Sequence, residues 1–185
     1  MVRAEAEEEG GLGSGCGEVV VAPKERADSL EQALATMRFR VRGERYLLVG
    51  APRARADAVL RAAASMAGAS AVGSIVLEPE SVTWFAPFSD AQGISKIEGA
   101  RSDGPYRVIT FETPMGWDVV GFLALATRAL AEAGVPLGAI CSFDRDHLFV
   151  RETYLDAARA ALRGRVCEEV TDPAGLSGSK EEVDR

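Results

Sequence analysis

A chain of 185 residues, 47% of them apolar, has material enough for a core, and its net charge is −7. That acidity, with a pI near 4.9, works against binding to phosphate backbones. Neither a basic run nor an apolar run of membrane-spanning length occurs, so neither nucleic acid nor a membrane is expected as a partner.

The opening ten residues are charged and acidic, without the apolar stretch of a secretory signal. Residues 1–33 are expected to be a mostly disordered tail, because the glutamates and the glycines of GGLGSGCG (10–17) cannot bury a core. The first structured unit is expected over 34–88. Within it, 37–41 offers an extra strand, 46–51 (YLLVGA) a strand stopped by Pro52, and 57–67 an alanine-rich helix ended by Gly68. Strands at 72–77 and 81–85 follow, joined by the acidic turn Glu78-Pro79-Glu80. Gly93, Gly99 and Gly104 mark 89–105 as a linker.

The second unit is expected over 106–170. Residues 106–113 (YRVITFET) read as a strand ended by Pro114. Val119, Phe122, Leu123, Ala126, Leu130 and Ala133 lie on one helical stripe, with Asp118 as N-cap and Gly134 after its end. Strands at 137–143 and 147–150 flank the turn at 144–146. A helix over 153–163 and an edge strand at 166–170 complete the unit. Residues 171–185 are again small, polar and charged, a second disordered tail. Cys16, Cys141 and Cys167 are odd in number and lack C-x-x-C spacing, which fits free thiols in a reducing cytoplasm.

The two units share an order: strand, proline, aspartate, helix, glycine, strand, acid-x-acid, strand. Tyr46 matches Tyr106, Asp57 matches Asp118, Gly68 matches Gly134, and Glu78 and Glu80 match Asp144 and Asp146. An internal duplication follows. Each copy is β-α-β-β with a right-handed crossover and then an antiparallel hairpin. The fold class is α+β: antiparallel sheets of the ferredoxin-like kind with helices on one face, in tandem.

Little here reads as catalysis. The single histidine, His147, lies beside Asp144 and Asp146 but without a nucleophile motif, and Cys141 sits in the apolar run ICSF. Two carboxylates in a turn make no metal site, and the early glycines have neither a strand before them nor a helix after. No cofactor and no metal are expected. What remains is a binding geometry at 113–121 (TPMGWDVVG). Free amides at a helix start, opened by Gly116 and Gly121 and walled by Trp117, suit a carboxylate, and Asp144 or Asp146 suits an ammonium group. The same residues equally suit a plain helix cap with Trp117 packed on the sheet.

Residues 116–162 carry a resemblance. Their VGFLA helix start, ALAEAGVP helix end and SFDRDHLFV hairpin resemble the ACT domain, within the tandem-ACT family related to the aspartokinase regulatory region and the arginine sensor CASTOR. YLLVGAP and SIVLEPESVTWFAP resemble that family's first unit more loosely. The resemblance implies βαββαβ units, no catalysis, and amino acids or similar effectors held between units. It implies a ligand loop of Met115, Gly116, Trp117, Asp118, Val119, Val120 and Gly121, facing a strand with Ile140, Ser142, Phe143 and Asp144. A homodimer and a separate regulated protein are the implied partners. PRARADAV stands where the second unit has PMGWDVVG, without its glycine, so the first copy is expected to have lost binding. A ligand-free interaction module is the alternative, and a hydrolase using His147 a more distant one.

Overall fold

The computed structural model describes residues 26–64, 71–91 and 93–170. The residues expected to form the tail up to 25, the terminating Gly68 and the segment after 170 lie outside these. The first helix, α1 (Leu30–Thr36), is capped reciprocally: the Gln32 amide donates to Ser29 Oγ (3.2 Å), and the Gln32 side chain accepts from the Asp28 amide (3.0 Å). Residues 26–33, within the stretch expected to be a disordered tail at 1–33, are thus structured. Ala27, Ala33 and Met37 are buried in the core, and this apolar burial holds the segment in place.

Two strands follow, β1 (Arg38–Val41) and β2 (Tyr46–Pro52), then α2 (Ala56–Ala64), β3 (Ser74–Leu77), β4 (Ser81–Pro87) and the single turn α3 (Phe88–Ala91). The long β5 (Arg101–Phe111) leads to α4 (Phe122–Glu132), the hairpin β6 (Leu137–Cys141) and β7 (Asp146–Arg151), α5 (Leu155–Leu162) and β8 (Glu168–Glu169). All eight strands join one sheet, antiparallel except where β1 meets β8.

The expected linker 89–105 is the main correction. Its last residues, from Arg101, belong to β5, because the β2 edge pairs with them: Gly50 with Arg101, Val49 with Ser102 and Leu48 with Asp103. Along its second half β5 is flanked by β7 on one edge, from Tyr106 to Thr110, and by β1 on the other, from Ile109 to Phe111. A single strand therefore serves as the last strand of the β3-β4-β2 group and the first strand of the C-terminal group. The N-terminal β1 is inserted between β5 and β8.

Alternation sorts the side chains onto two faces. Phe39, Ile109 and Phe111 meet Phe122, Ala126 and Leu130 of α4 and Leu155, Ala158 and Leu162 of α5. In the other half, Val49, Val82 and Trp84 meet Val59 of α2 and Ile94. Helices thus cover one face, as expected, and each large side chain removed from water there contributes about 1.5–3 kcal/mol. On the opposite face Tyr46, Phe85, Tyr106 and Val108 form a smaller cluster with Phe149. Gly134, at φ +68°, closes α4: its amide reaches the Ala131 carbonyl, and the Val135 amide reaches that of Leu130.

Candidate functional site

The segment between β5 and α4 is pinned from two sides. The Ala27 amide donates to the Pro114 carbonyl (2.9 Å), and the Gly116 amide donates to the Ala27 carbonyl (3.1 Å), so the N-terminal segment forms a strap across the loop. From the other side, the Met115 amide donates to the Asp144 carbonyl in the β6–β7 turn (3.2 Å). That turn is held by Ser142, whose amide donates to the Arg145 carbonyl (2.8 Å) and whose Oγ accepts from the Arg145 amide (3.3 Å).

Between loop, helix start and turn lies a cavity of about 220 Å³. It brings together Met115, Gly116, Trp117, Val119, Gly121, Ser142, Phe143 and Asp144 from the expected site. Asp146, expected as an alternative to Asp144 for an ammonium group, also lines it, and Phe122, Leu123, Ala124, Cys141 and Arg145, which the sequence did not mark as site residues, complete its walls. Alternation along the hairpin was the available signal for Cys141, since it faces the same side as the loop.

Three expected residues are not among the walls. Ile140 precedes Cys141 on β6, so it faces the opposite side, where it packs with the aromatic cluster. Val120 is 82% exposed and points to solvent. Asp118 does not cap the helix: α4 begins at Phe122, and Gly121, at φ +103°, is its N-cap. The chain reverses there through a backbone conformation that glycine adopts freely. The first helical bond runs from the Leu125 amide to the Gly121 carbonyl (3.0 Å). The amides without helical partners are therefore those of Phe122, Leu123 and Ala124, all in the cavity wall, rather than those of 117–120.

Polar groups in the wall divide into satisfied and free. The Asp146 carboxylate, directly across the hairpin from Cys141, together with burial pushes the thiol pKa up to about 11 and keeps it a neutral thiol. Arg145 makes no ion pair among the described residues, and its Nε is buried without a hydrogen-bond partner. The exposed Asp144 carboxylate likewise has no ion pair among the described residues. Trp117 (70% exposed) and Phe143 (73%) stand at the mouth.

His147 lies on the other face of the sheet. Arg42 Nε donates to Thr110 Oγ1 (3.1 Å), which leaves the threonine hydroxyl to donate to His147 Nδ1 (3.0 Å). Burial, then the nearby Arg42, holds the imidazole below its usual pKa. This is the environment of a satisfied, neutral core histidine. Among the described residues no group of three or more His, Cys, Asp or Glu is placed to hold a metal ion, and no helix is long and apolar enough to cross a membrane.

Among the described residues the first half repeats the pinning contact without the loop. The Arg53 amide donates to the Glu80 carbonyl (2.9 Å), as Met115 does to Asp144. There, however, the strand runs through a single tight turn, Arg53–Arg55, straight into α2. The loop that opens the C-terminal cavity, 112–121, has no counterpart.

Residues 101–164 match the family model of the ACT domain. No curated protein matches the sequence significantly. Solved structures share the fold. A structural-genomics protein from Agobacterium tumefaciens superposes with TM-score 0.58 at 17% identity, covering 72% of this chain and 92% of its own. A protein of unknown function from Vibrio cholerae, described as a possible transport protein, gives 0.53 at 24% identity, covering 70% and 89%. The ligand-free regulatory subunit of aspartate kinase from Thermus thermophilus gives 0.50 at 17% identity, covering 66% and 94%.

Proposed function

We propose that this chain, whose residues 101–164 form an ACT domain, is a regulatory module that binds an amino acid or similar small metabolite in the cavity between the 112–121 loop and the β6–β7 turn. The observation that carries the reading is the convergence of three free α4 amides and an unpaired arginine on one cavity. At about 220 Å³ the cavity falls below the ~300–1,000 Å³ of sites for drug-sized ligands, which favours a metabolite of amino-acid size over a nucleotide. Nothing in its walls supplies an activated nucleophile: the Cys141 thiol is held neutral. On this reading the chain acts by binding, and the process it regulates belongs to a separate protein. Among the described residues the first half, a reduced unit of the same kind, lacks the loop that opens this site. Free Cys141 and Cys167 fit a reducing cytoplasm.

The test is a thermal-shift screen against the twenty amino acids and common nucleotides, because a ligand that binds only the folded state raises its melting temperature. Stabilisation by an amino acid supports the proposal. If no amino acid or comparable metabolite shifts the transition at millimolar concentration, the proposal fails.

A second reading, a module that only associates, rests on the exposed Trp117, Val120 and Phe143 around the mouth. These would be covered in a C2 dimer. Light scattering at micromolar concentration distinguishes dimer from monomer.

A further inference from the structure

The face of the sheet opposite the cavity carries the chain's one histidine in a bonded relay. Arg40, Thr110 and His147 stand side by side across β1, β5 and β7, with Ile140 of β6 beyond them. Phe39, Ile109 and Leu148 point into the helix-covered core, so these neighbours point the other way. The relay fixes a tautomer. Thr110 Oγ1 accepts from Arg42 Nε (3.1 Å) and gives its single hydrogen to His147 Nδ1 (3.0 Å), so Nδ1 is bare and Nε2 carries the proton. Both Thr110 and His147 are buried, so little water reaches either group. A proton on Nδ1 turns that acceptor into a donor. The threonine oxygen then faces two cationic donors, the imidazolium and Arg42, where little water screens their repulsion. Arg42 has another acceptor within reach: its Nη2 stands 3.9 Å from Glu112 Oε1, which Arg40 Nε holds at 3.0 Å. Burial, then Arg42 and, more weakly, Arg145 oppose the imidazolium, while Asp146 and Glu112 favour it.

We propose that His147, Thr110 and Arg42 form a pH-operated switch, in which protonation of the imidazole at Nδ1 moves the Arg42 guanidinium from Thr110 to Glu112. In the neutral form Arg42, just past β1, is tied to Thr110 within β5. In the acid form it is tied to Glu112, just beyond the end of β5, and that one carboxylate serves both Arg40 and Arg42. The helix-free face gains one positive charge, while Asp146, the residue before His147, stays in the cavity wall on the other side of β7. The switch stands apart from the ligand cavity and needs no ligand there.

The experiment is a nuclear magnetic resonance titration of the full, isotope-labelled chain from about pH 7.5 to about pH 5. With a single histidine, one imidazole signal reports the protonation. Expected are an Nε2–H tautomer at the upper end, a midpoint below the ordinary ~6.5, and an Arg42 Nε–H signal that shifts with the same midpoint. Arg42→Lys identifies that signal by its loss. In His147→Gln, checked for folding by circular dichroism, the Arg42 signal stays still over this range. In Glu112→Gln the imidazole still titrates but the Arg42 shift shrinks, because the receiving carboxylate is gone. The switch is overturned by an Nδ1–H tautomer in the neutral form, or by an imidazole that titrates while the Arg42 signal stays fixed. It is overturned equally by an Arg42 shift that persists in His147→Gln or is undiminished in Glu112→Gln. Unfolding of the chain before the imidazole titrates overturns it too, since the folded acid form then does not exist.

Discussion

Tyr46 and Tyr106, the matching first residues of the two strand-helix-strand-strand runs, stand directly opposite each other across β2 and β5. They anchor an aromatic chain over the helix-free face. Tyr46 stacks on Phe85 (5.1 Å between centroids), Phe85 on Phe149 (4.5 Å), and Phe149 meets Tyr106 edge-on (5.3 Å). The Tyr46 hydroxyl is buried without a side-chain partner, beside the Val72 backbone, and burial raises its pKa to about 12. Tyr46→Phe removes that hydroxyl while keeping the ring, so stability is expected to hold or rise. Tyr46→Ala removes the ring and is expected to cost about 3–5 kcal/mol. Urea unfolding of the pair checks this, and a loss of more than about 2 kcal/mol in Tyr46→Phe would show that the hydroxyl bonds in solution.

The elements that local signals specify were the ones legible in the sequence. The α4 stripe, its Gly134 terminator and the Pro52 and Pro114 stops all act within a few residues of where they stand. What was missed depends on distant partners. The segment 101–104 (RSDG) has turn chemistry, and becomes strand because β2 offers it an open edge. The helix start moved from Asp118 to Gly121 because the loop needs length to reach both Ala27 and Asp144. The loop of the site and one side of the hairpin were readable from residue type and resemblance. Arg145 was not, since an arginine in a polar turn has no local mark that sets it apart from a solvated one.

His147 gives a pH dependence whose sign follows from its burial. The folded imidazole resists protonation, whereas in the unfolded chain it takes a proton near the ordinary 6.5. The unfolded state therefore binds more protons in that window, and stability falls as pH drops below about 6.5. His147→Gln removes the titration. Its unfolding free energy is expected to change less than that of the parent chain between about pH 7.5 and pH 5.5. Equal changes in both proteins would mean that the imidazole is not held neutral.

The Phe149 ring lies flat on Gly138, its cross-strand partner: a Cβ there would sit 2.0 Å from the ring. Gly138→Ala must push the ring off its stack with Phe85, at a cost of about 1–3 kcal/mol. A melting temperature equal to that of the parent chain would show that the ring moves aside freely.

Removal of residues 1–17 or of 172–185 is expected to leave the melting temperature nearly unchanged, because these stretches hold few apolar groups. Removal of 1–29 is a different matter. It takes away the Ser29 cap, worth about 0.5–2 kcal/mol, and the Ala27 strap that holds Pro114 and Gly116. The longer deletion should melt earlier and bind any ligand from the screen more weakly. If it binds as tightly as the full chain, the strap does not hold the loop in its binding form.

Two glycines in the loop separate approach from geometry. From sequence alone, Gly116 is the residue that leaves the ligand's path open, so Gly116→Val would be expected to block it. In the structure, however, a Cβ at Gly116 meets the Arg26 guanidinium (3.2 Å), the far end of an exposed and flexible side chain. Gly116→Ala is therefore expected to fold and to bind with little change. Gly121 is the sensitive one: at φ +103° any other residue is strained by about 1–3 kcal/mol, and relief of that strain moves the first turn of α4, whose amides line the cavity. Gly121→Ala is expected to lower the affinity for a ligand from the screen by about tenfold, ~1.4 kcal/mol, with helix content kept. Calorimetry with circular dichroism on both variants decides the matter. A loss at Gly116→Ala with none at Gly121→Ala would place the ligand at the Gly116 side of the loop and away from the α4 amides.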